Sequence, residues 1–223
     1  MSKAFDTVNL HRLVNKLLQT STPAYLVKFI SNYIKGRQAY TNYFNHLSKK
    51  RLIKTGVPQG GVLSPILFNL YTSDLPTPPQ GVSVTSYADD ITPLSSHHSI
   101  NSAASQIQPY LNDIHKWTIE NDLKLNPDKC GLTLFTSCTQ ELSAKANKPS
   151  LTINNIQIPI VKTPKILGLT FDPTLTFKDH VQNTITKAKG ALKLIKAISS
   201  KSWGKQKETL LASYNAIVGP HLE

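Results

Sequence analysis

The chain has no long apolar run: nowhere in its 223 residues is there the stretch of about eighteen that a helix needs to cross a bilayer. A basic-then-apolar leader is also missing, so no signal for secretion is expected. Cysteine occurs twice, at Cys130 and Cys138, with no further Cys or His at metal-binding spacing. That excludes a disulfide framework and leaves the reduced thiols expected of an intracellular protein, with nucleus and cytoplasm both open. No internal repeat is present. Acidic residues are scarce, 13 against 25 Lys and Arg, for a net charge of +12 and a pI near 9.7. Such a balance suits a polyanionic partner, nucleic acid first and an anionic membrane second, or it serves only solubility. Hydrophobic content of 39% fits a globular fold rather than disorder.

What is present centres on Ser86-Tyr87-Ala88-Asp89-Asp90. Val82, Val84 and Tyr87 mark a half-buried strand, and Ile91 and Thr92 resume strand character after the acids. Two adjacent carboxylates at that break fit a hairpin tip and could serve a hard divalent cation. Taken alone, an Asp-Asp pair is more often a solvated turn.

Upstream, Leu10, Leu13, Val14, Leu17 and Leu18 line one face of a helix. A second helix is expected to be capped by Thr22 and opened by Pro23. Leu26, Phe29, Ile30 and Tyr33 are its expected stripe, and Gly36 its stop. Strands are expected at about 38–45 and 50–55, flanked by Arg37 and Lys49-Lys50-Arg51. Then comes Gly56-Val57-Pro58-Gln59-Gly60-Gly61-Val62-Leu63-Ser64-Pro65, a glycine-rich loop opening a helix whose buried face is expected to be Ile66, Leu67, Leu70 and Tyr71. A plain turn is the alternative for that loop.

Beyond the acidic hairpin, an amphipathic helix runs from Ile100 through Trp117, with Pro109 expected to kink it. Leu125-Asn126-Pro127-Asp128-Lys129 reads as a turn, 132–135 and 166–171 as strands, 143–148 as a loop, and 151–160 as a hairpin around Asn154-Asn155. A long helix from about 178 to 200 carries Val181, Ile185, Ala188, Leu192, Leu194 and Ile195. Lys187, Lys189, Lys193 and Lys196, then Lys201, Trp203, Lys205 and Lys207, suit a phosphate backbone or a solvated face. A last partial helix spans 210–218.

This ordered set resembles the reverse transcriptase domain of non-LTR (LINE, jockey-like) retrotransposons. The resemblance is carried by Ser2-Lys3-Ala4-Phe5-Asp6, Gly56 to Gly60 with Ser64-Pro65, Phe68-Asn69-Leu70-Tyr71, Tyr87 to Asp90, Leu125 to Lys129, and Leu167-Gly168. It covers residues 1 to roughly 180.

The resemblance implies an α+β fold: a polymerase palm (antiparallel sheet backed by helices) over 1–172, and a partial, thumb-like basic helical segment over 173–223. It implies primer extension on an RNA template, with a DNA primer, deoxynucleoside triphosphates and two magnesium ions. Asp89 and Asp90 match metal-binding carboxylates, and Lys129 a lysine acting on the leaving pyrophosphate. Gln59 and Gly60 match the loop against the nascent base pair and template. Phe5 matches the bulky position that blocks a ribose 2′-OH.

In the family the first strand reads Asp-x-Ser-Lys-Ala-Phe-Asp, and Met1 stands at x. The leading acid and the fingers are therefore expected to be absent, Asp6 to be structural, and this chain to be an inactive fragment holding at most one weakly bound ion. A non-catalytic nucleic-acid-binding or interaction remnant is the alternative.

Overall fold

Asn9 starts the first long helix by accepting the amides of His11 and Arg12 at 3.0 and 3.2 Å. A single turn, α1 (Ala4–Thr7), precedes it. In α2 (Leu10–Leu18), the buried residues are Leu10, Leu13 and Leu17, as the spacing predicts. The computed structural model describes residues 3–137, 149–199, 204 and 206–222. Contacts divide the chain into two units, Met1–Cys130 with Ala146–Pro159, and Gly131–Lys145 with Ile160–Glu223.

In the first unit, α3 (Ala24–Ile34) follows Pro23 without a side-chain cap, and the Thr22 hydroxyl instead meets that of Thr20 at 2.6 Å. Val27 and Ile34 are buried, while Leu26 and Phe29, expected inside, are exposed. This helix is apolar on most sides, so its spacing admits overlapping stripes and packing selects one. The same correction applies to α4 (Ser64–Tyr71): Leu67, Phe68 and Tyr71 are buried, and Ile66 faces out.

These helices close on Ala4, Val8, Val57, Trp117 and Leu123. At their edge the Lys16 ammonium donates to the Tyr71 carbonyl (2.5 Å), the Asp74 carboxylate (2.6 Å) and the Asn121 side-chain oxygen (2.7 Å). It also lies 4.8 Å from the centre of the Tyr71 ring. All three ammonium protons are thereby matched, which a largely covered cation requires.

Residues 38–52 form a nested ribbon rather than two longer strands. In it β2 (Asn42–Tyr43) pairs with β3 (His46–Leu47), and β1 (Gln38–Ala39) with β4 (Arg51–Leu52). The longest hairpin joins β5 (Val82–Tyr87) to β6 (Asp90–Ser95). It packs Val82, Val84 and Ile91 against Tyr110, Ile114 and Ile107 of α5 (Ile100–Glu120), a helix that continues through Pro109. β7 (Thr152–Ile153) and β8 (Ile156–Gln157) turn at Asn154 and Asn155, both left-handed, and Gln108 pairs twice with the Thr152 backbone at 2.9 Å.

In the second unit the expected strand at 132–135 is reduced to one bridge, Leu132 to Ile160. The stretch 166–171 is not one strand but a hairpin of β9 (Lys165–Ile166) and β10 (Leu169–Thr170), reversing at Leu167 and Gly168. Gly168, at φ 91, supplies the backbone that breaks the run. Helices follow at Lys178–Ile198, Lys207–Ile217 and Gly219–Leu222. Ala188, Ala191, Ile195 and Val218 pack together there, whereas Val181 and Leu194 are exposed. Cys138, the 143–148 segment, Lys201, Trp203 and Lys205 lie outside the described residues.

Mixed helices and short antiparallel strands make the fold α+β. The described strands form five separate two-stranded ribbons rather than one continuous sheet, because nearly every strand pairs with a near neighbour in sequence. No helix among the described residues is long and apolar enough to cross a membrane.

Ahead of the long C-terminal helix, the buried Asp172 carboxylate gathers a turn. It accepts the Thr176 amide (2.9 Å), the Thr174 and Thr176 hydroxyls (2.8 and 3.0 Å) and the Phe177 amide. The Thr176 amide leads the effect, the other donors add to it and burial opposes it, leaving the carboxyl at about 2.

Two predictions follow from these contacts. Lys16→Met should cost about 1.5–3 kcal/mol in urea unfolding, the range for hydrogen bonds to a charged group. For Asp172, a depressed folded pKa adds stability above the ordinary carboxylate range, and that stability is lost as pH falls through about 2. Urea midpoints should therefore favour the parent over Asp172→Asn at pH 6 and converge near pH 2.

Candidate active site

Gly56 is where the glycine-rich loop meets the start of the chain. At φ +81 it occupies backbone space that favours glycine, and a Cβ there would lie 2.7 Å from the Asp6 Cα and carbonyl oxygen. That approach lets the Gly56 amide donate to the Val8 carbonyl and the Val57 amide to the Phe5 carbonyl, both at 2.8 Å. The Thr55 hydroxyl adds a bond to the Asp6 carbonyl at 3.0 Å. Arg37 fixes the other side: its guanidinium donates to the Gly56 carbonyl and, at 3.0 Å, to that of Ile34. Downstream, the Ser64 hydroxyl closes on the Pro58 carbonyl, so helix α4 starts from a fixed loop.

This docking brings three of the expected site residues together. The Gln59 side-chain amide donates to the Asp6 carboxylate at 2.8 Å. Phe5 stacks on Phe68 of the core, ring centres 4.4 Å apart and planes 17° apart, so its position is set by packing. Gly60 has φ +79 and open space where a side chain would stand. Asp6, Arg37, Gln38, Ile53, Thr55, Val57, Pro58 and Gln59 line an open groove of about 630 Å³.

The two acids stand at the turn of the β5–β6 hairpin. Tyr87 and Asp90 are its last paired residues, leaving Ala88 and Asp89 as a two-residue loop. Ala88 has φ 51, a left-handed conformation costing a residue with a Cβ about 1–2 kcal/mol. Asp89 is half-buried and Asp90 exposed. The root of the hairpin packs on α5, and Leu125 joins that cluster. Four positions on, the exposed Lys129 ends the short 3₁₀ turn Pro127–Lys129, where the Asn126 side chain accepts the Asp128 amide at 3.1 Å. Beside it, burial pushes the Cys130 thiol up, which disfavours the reactive thiolate.

Asp6 does not complete a metal centre. No group of three His, Cys, Asp or Glu among the described residues is placed to hold a metal ion. As donors, Asp89 and Asp90 suit magnesium in kind, being hard oxygen ligands, but two carboxylates are few for two dications.

The description "Reverse transcriptase (RNA-dependent DNA polymerase)" belongs to the family model that matches residues 1–171. The chain belongs to the reverse transcriptase family. A probable RNA-directed DNA polymerase from transposon BS of Drosophila melanogaster is 32% identical over 82% of this chain, and the RNA-directed DNA polymerase from mobile element jockey of the same species is 30% identical over 82%. The retrovirus-related Pol polyprotein from type-1 retrotransposable element R2 of Popillia japonica is 30% identical over 81% of the chain and 31% of that protein. The chain spans 20% of the length of the two Drosophila relatives. These relatives bear out the resemblance to non-LTR reverse transcriptases.

Sequence reasoning missed one residue that holds the site's loop, Arg37, and one that joins the helices behind it, Lys16. Arg37 reads as one more basic residue beside a strand, yet it holds the Gly56 carbonyl. Lys16 sits on the polar side of an amphipathic helix, where periodicity assigns it to solvent. Neither has a local signal, because each acts on a partner distant in sequence.

The loop yields a test that separates sterics from conformation. Gly56→Ala combines the left-handed backbone with a collision against Asp6 and should cost more than about 2 kcal/mol. Gly60→Ala meets open space and should cost only about 1 kcal/mol. Urea denaturation of both variants checks the ordering.

Proposed function

We propose that this chain is the palm-centred portion, residues 1–172, of an RNA-directed DNA polymerase, with 173–223 as a thumb-like basic segment. What supports the reading most is the placement of the adjacent carboxylates Asp89 and Asp90 at the turn of a packed hairpin, in a chain of this family. In this reading Asp89 and Asp90 hold magnesium, which when bound would neutralise charge on the triphosphate and the attacking 3′-oxygen. Phe5, braced by Phe68, presents a rigid ring that crowds a ribose 2′-OH and so favours deoxynucleotides. Gln59 and Gly60 form the surface against the nascent base pair. Gly60 leaves room for a base to approach the backbone, and Gln59 is kept in place by Asp6. Lys129, exposed on its short turn, supplies a positive charge or a proton to the departing pyrophosphate. An RNA template, a DNA primer and deoxynucleoside triphosphates are the substrates of this reading.

Turnover by this chain alone is a separate matter. With Asp6 engaged by Gln59 and only a pair of carboxylates at the tip, we expect two dications about 4 Å apart to repel without sufficient compensation. Primer extension with poly(rA)/oligo(dT), dTTP and magnesium should then stay at the level of an Asp89→Ala control. Robust extension that Asp89→Ala abolishes would overturn the inactivity while supporting the catalytic assignment.

A further inference from the structure

Apart from Gln38, which lines the groove, the ribbon formed by β1 to β4 is used neither by the core nor by the site just described. Every residue from 38 to 52 is exposed, on both faces of the ribbon. Among them are five large apolar or aromatic side chains: Tyr40, Tyr43 and Phe44 are 54%, 71% and 82% exposed, and Leu47 and Leu52 are exposed with them. Tyr43 and Phe44 meet edge to face, centres 4.7 Å apart, and form an aromatic tip.

The turn itself runs against local preference. Phe44 and Asn45 both have positive φ, 44 and 65, as a two-residue hairpin turn of this hand requires. Asn suits such a position and Phe does not, so a strained backbone holds a large ring in solvent where it adds nothing to the described core. A residue that costs stability and buries nothing is best explained by what it contacts in another molecule.

Charge identifies that molecule. Between Asp6 and Asp74 the sequence holds no Asp or Glu and nine Lys or Arg, among them Arg37, Lys49, Lys50, Arg51 and Lys54 around the ribbon. Exposed rings close in sequence to Lys49, Lys50 and Arg51, which are in none of the ion pairs found among the described residues, match unpaired bases, which stack, and phosphates, which pair with the cations. A covering protein segment would instead ask for apolar contact without this charge. The ribbon is not a detached flap, since Arg37 at its base also holds the Gly56 carbonyl, and the Ile53 amide donates to the Arg37 carbonyl at 2.8 Å.

We propose that the ribbon is a binding surface for single-stranded nucleic acid, with Tyr43 and Phe44 stacking on unpaired bases and Lys49, Lys50 and Arg51 meeting the phosphates. It rests on the polymerase reading only for the identity of that strand as the template.

Binding of a fluorescein-labelled single-stranded 16-mer, oligo(rU), to the full chain can be followed by anisotropy without magnesium or nucleotide. Phe44→Asn is the decisive variant: it removes the ring and relaxes the turn, so a loss cannot be ascribed to unfolding. It should weaken binding about five-fold or more, the range for one base stacked on an aromatic ring. Lys49→Ala with Lys50→Ala should flatten the salt dependence, lowering the log–log slope by about 1.4 for two lost phosphate contacts. A blunt duplex should compete poorly, since its bases are already stacked.

The proposal is overturned by any of three results. These are no binding by the parent chain, an affinity within two-fold of the parent for Phe44→Asn, or equal competition by duplex. The first two outcomes would leave the ribbon as a surface for a protein segment. Because the assay needs no catalysis, failed primer extension with intact strand binding would count against the polymerase reading alone.

Discussion

The close passage of the Gly56-Val57 backbone over Phe5 to Val8 is the constraint on which the site depends. Two amide-to-carbonyl bonds and a hydroxyl bond tie segments about fifty positions apart. The approach is possible because residue 56 has no Cβ to collide with Asp6. With that seam closed, Gln59 stands over Asp6, Phe5 is turned onto Phe68, and Arg37 can brace the same carbonyl from the root of the ribbon. The glycine-rich loop, which as a motif suggests contact with a ligand, therefore has a structural duty first. The part proposed to face a ligand begins only at Gln59 and Gly60.

Behind the seam, Lys16 joins α2, the end of α4 and the end of α5 through a single ammonium group. Tyr71 and Trp117 extend the junction: the Tyr71 hydroxyl donates to the Asn121 carbonyl at 2.6 Å, and the Trp117 indole to Asp74 at 3.0 Å. This polar junction at the edge of an apolar core sets how the helix after the loop lies against the helix behind the hairpin. The helix that follows the glycine-rich loop and the helix that backs the hairpin are thus joined at one point.

Turns show where reading the chain works and where it stops. Asn154-Asn155 announces its hairpin, because asparagine tolerates the left-handed backbone that a tight reversal needs. Phe44-Asn45, Ala88-Asp89 and Leu167-Gly168 also reverse the chain, but each puts a residue ill suited to positive φ in the first position. The cost at Ala88 is met by packing Val82, Val84 and Ile91 on α5, an interaction distant from the turn. For this reason the segment 166–171 reads as one strand in sequence and is a hairpin in the fold.

By itself the sequence determined the helices at 10–18, 100–120 and 178–198, the acidic hairpin and the family. Those rest on periodicity and on short contiguous motifs, which are local properties of the chain. Only the tertiary structure decided which stripe of α3 and α4 faces inward, that Arg37 and Lys16 are structural linchpins, and that Asp6 holds Gln59 rather than standing with Asp89 and Asp90. Each of these turns on a partner far along the chain, and the side chain itself is the same whether or not that partner arrives.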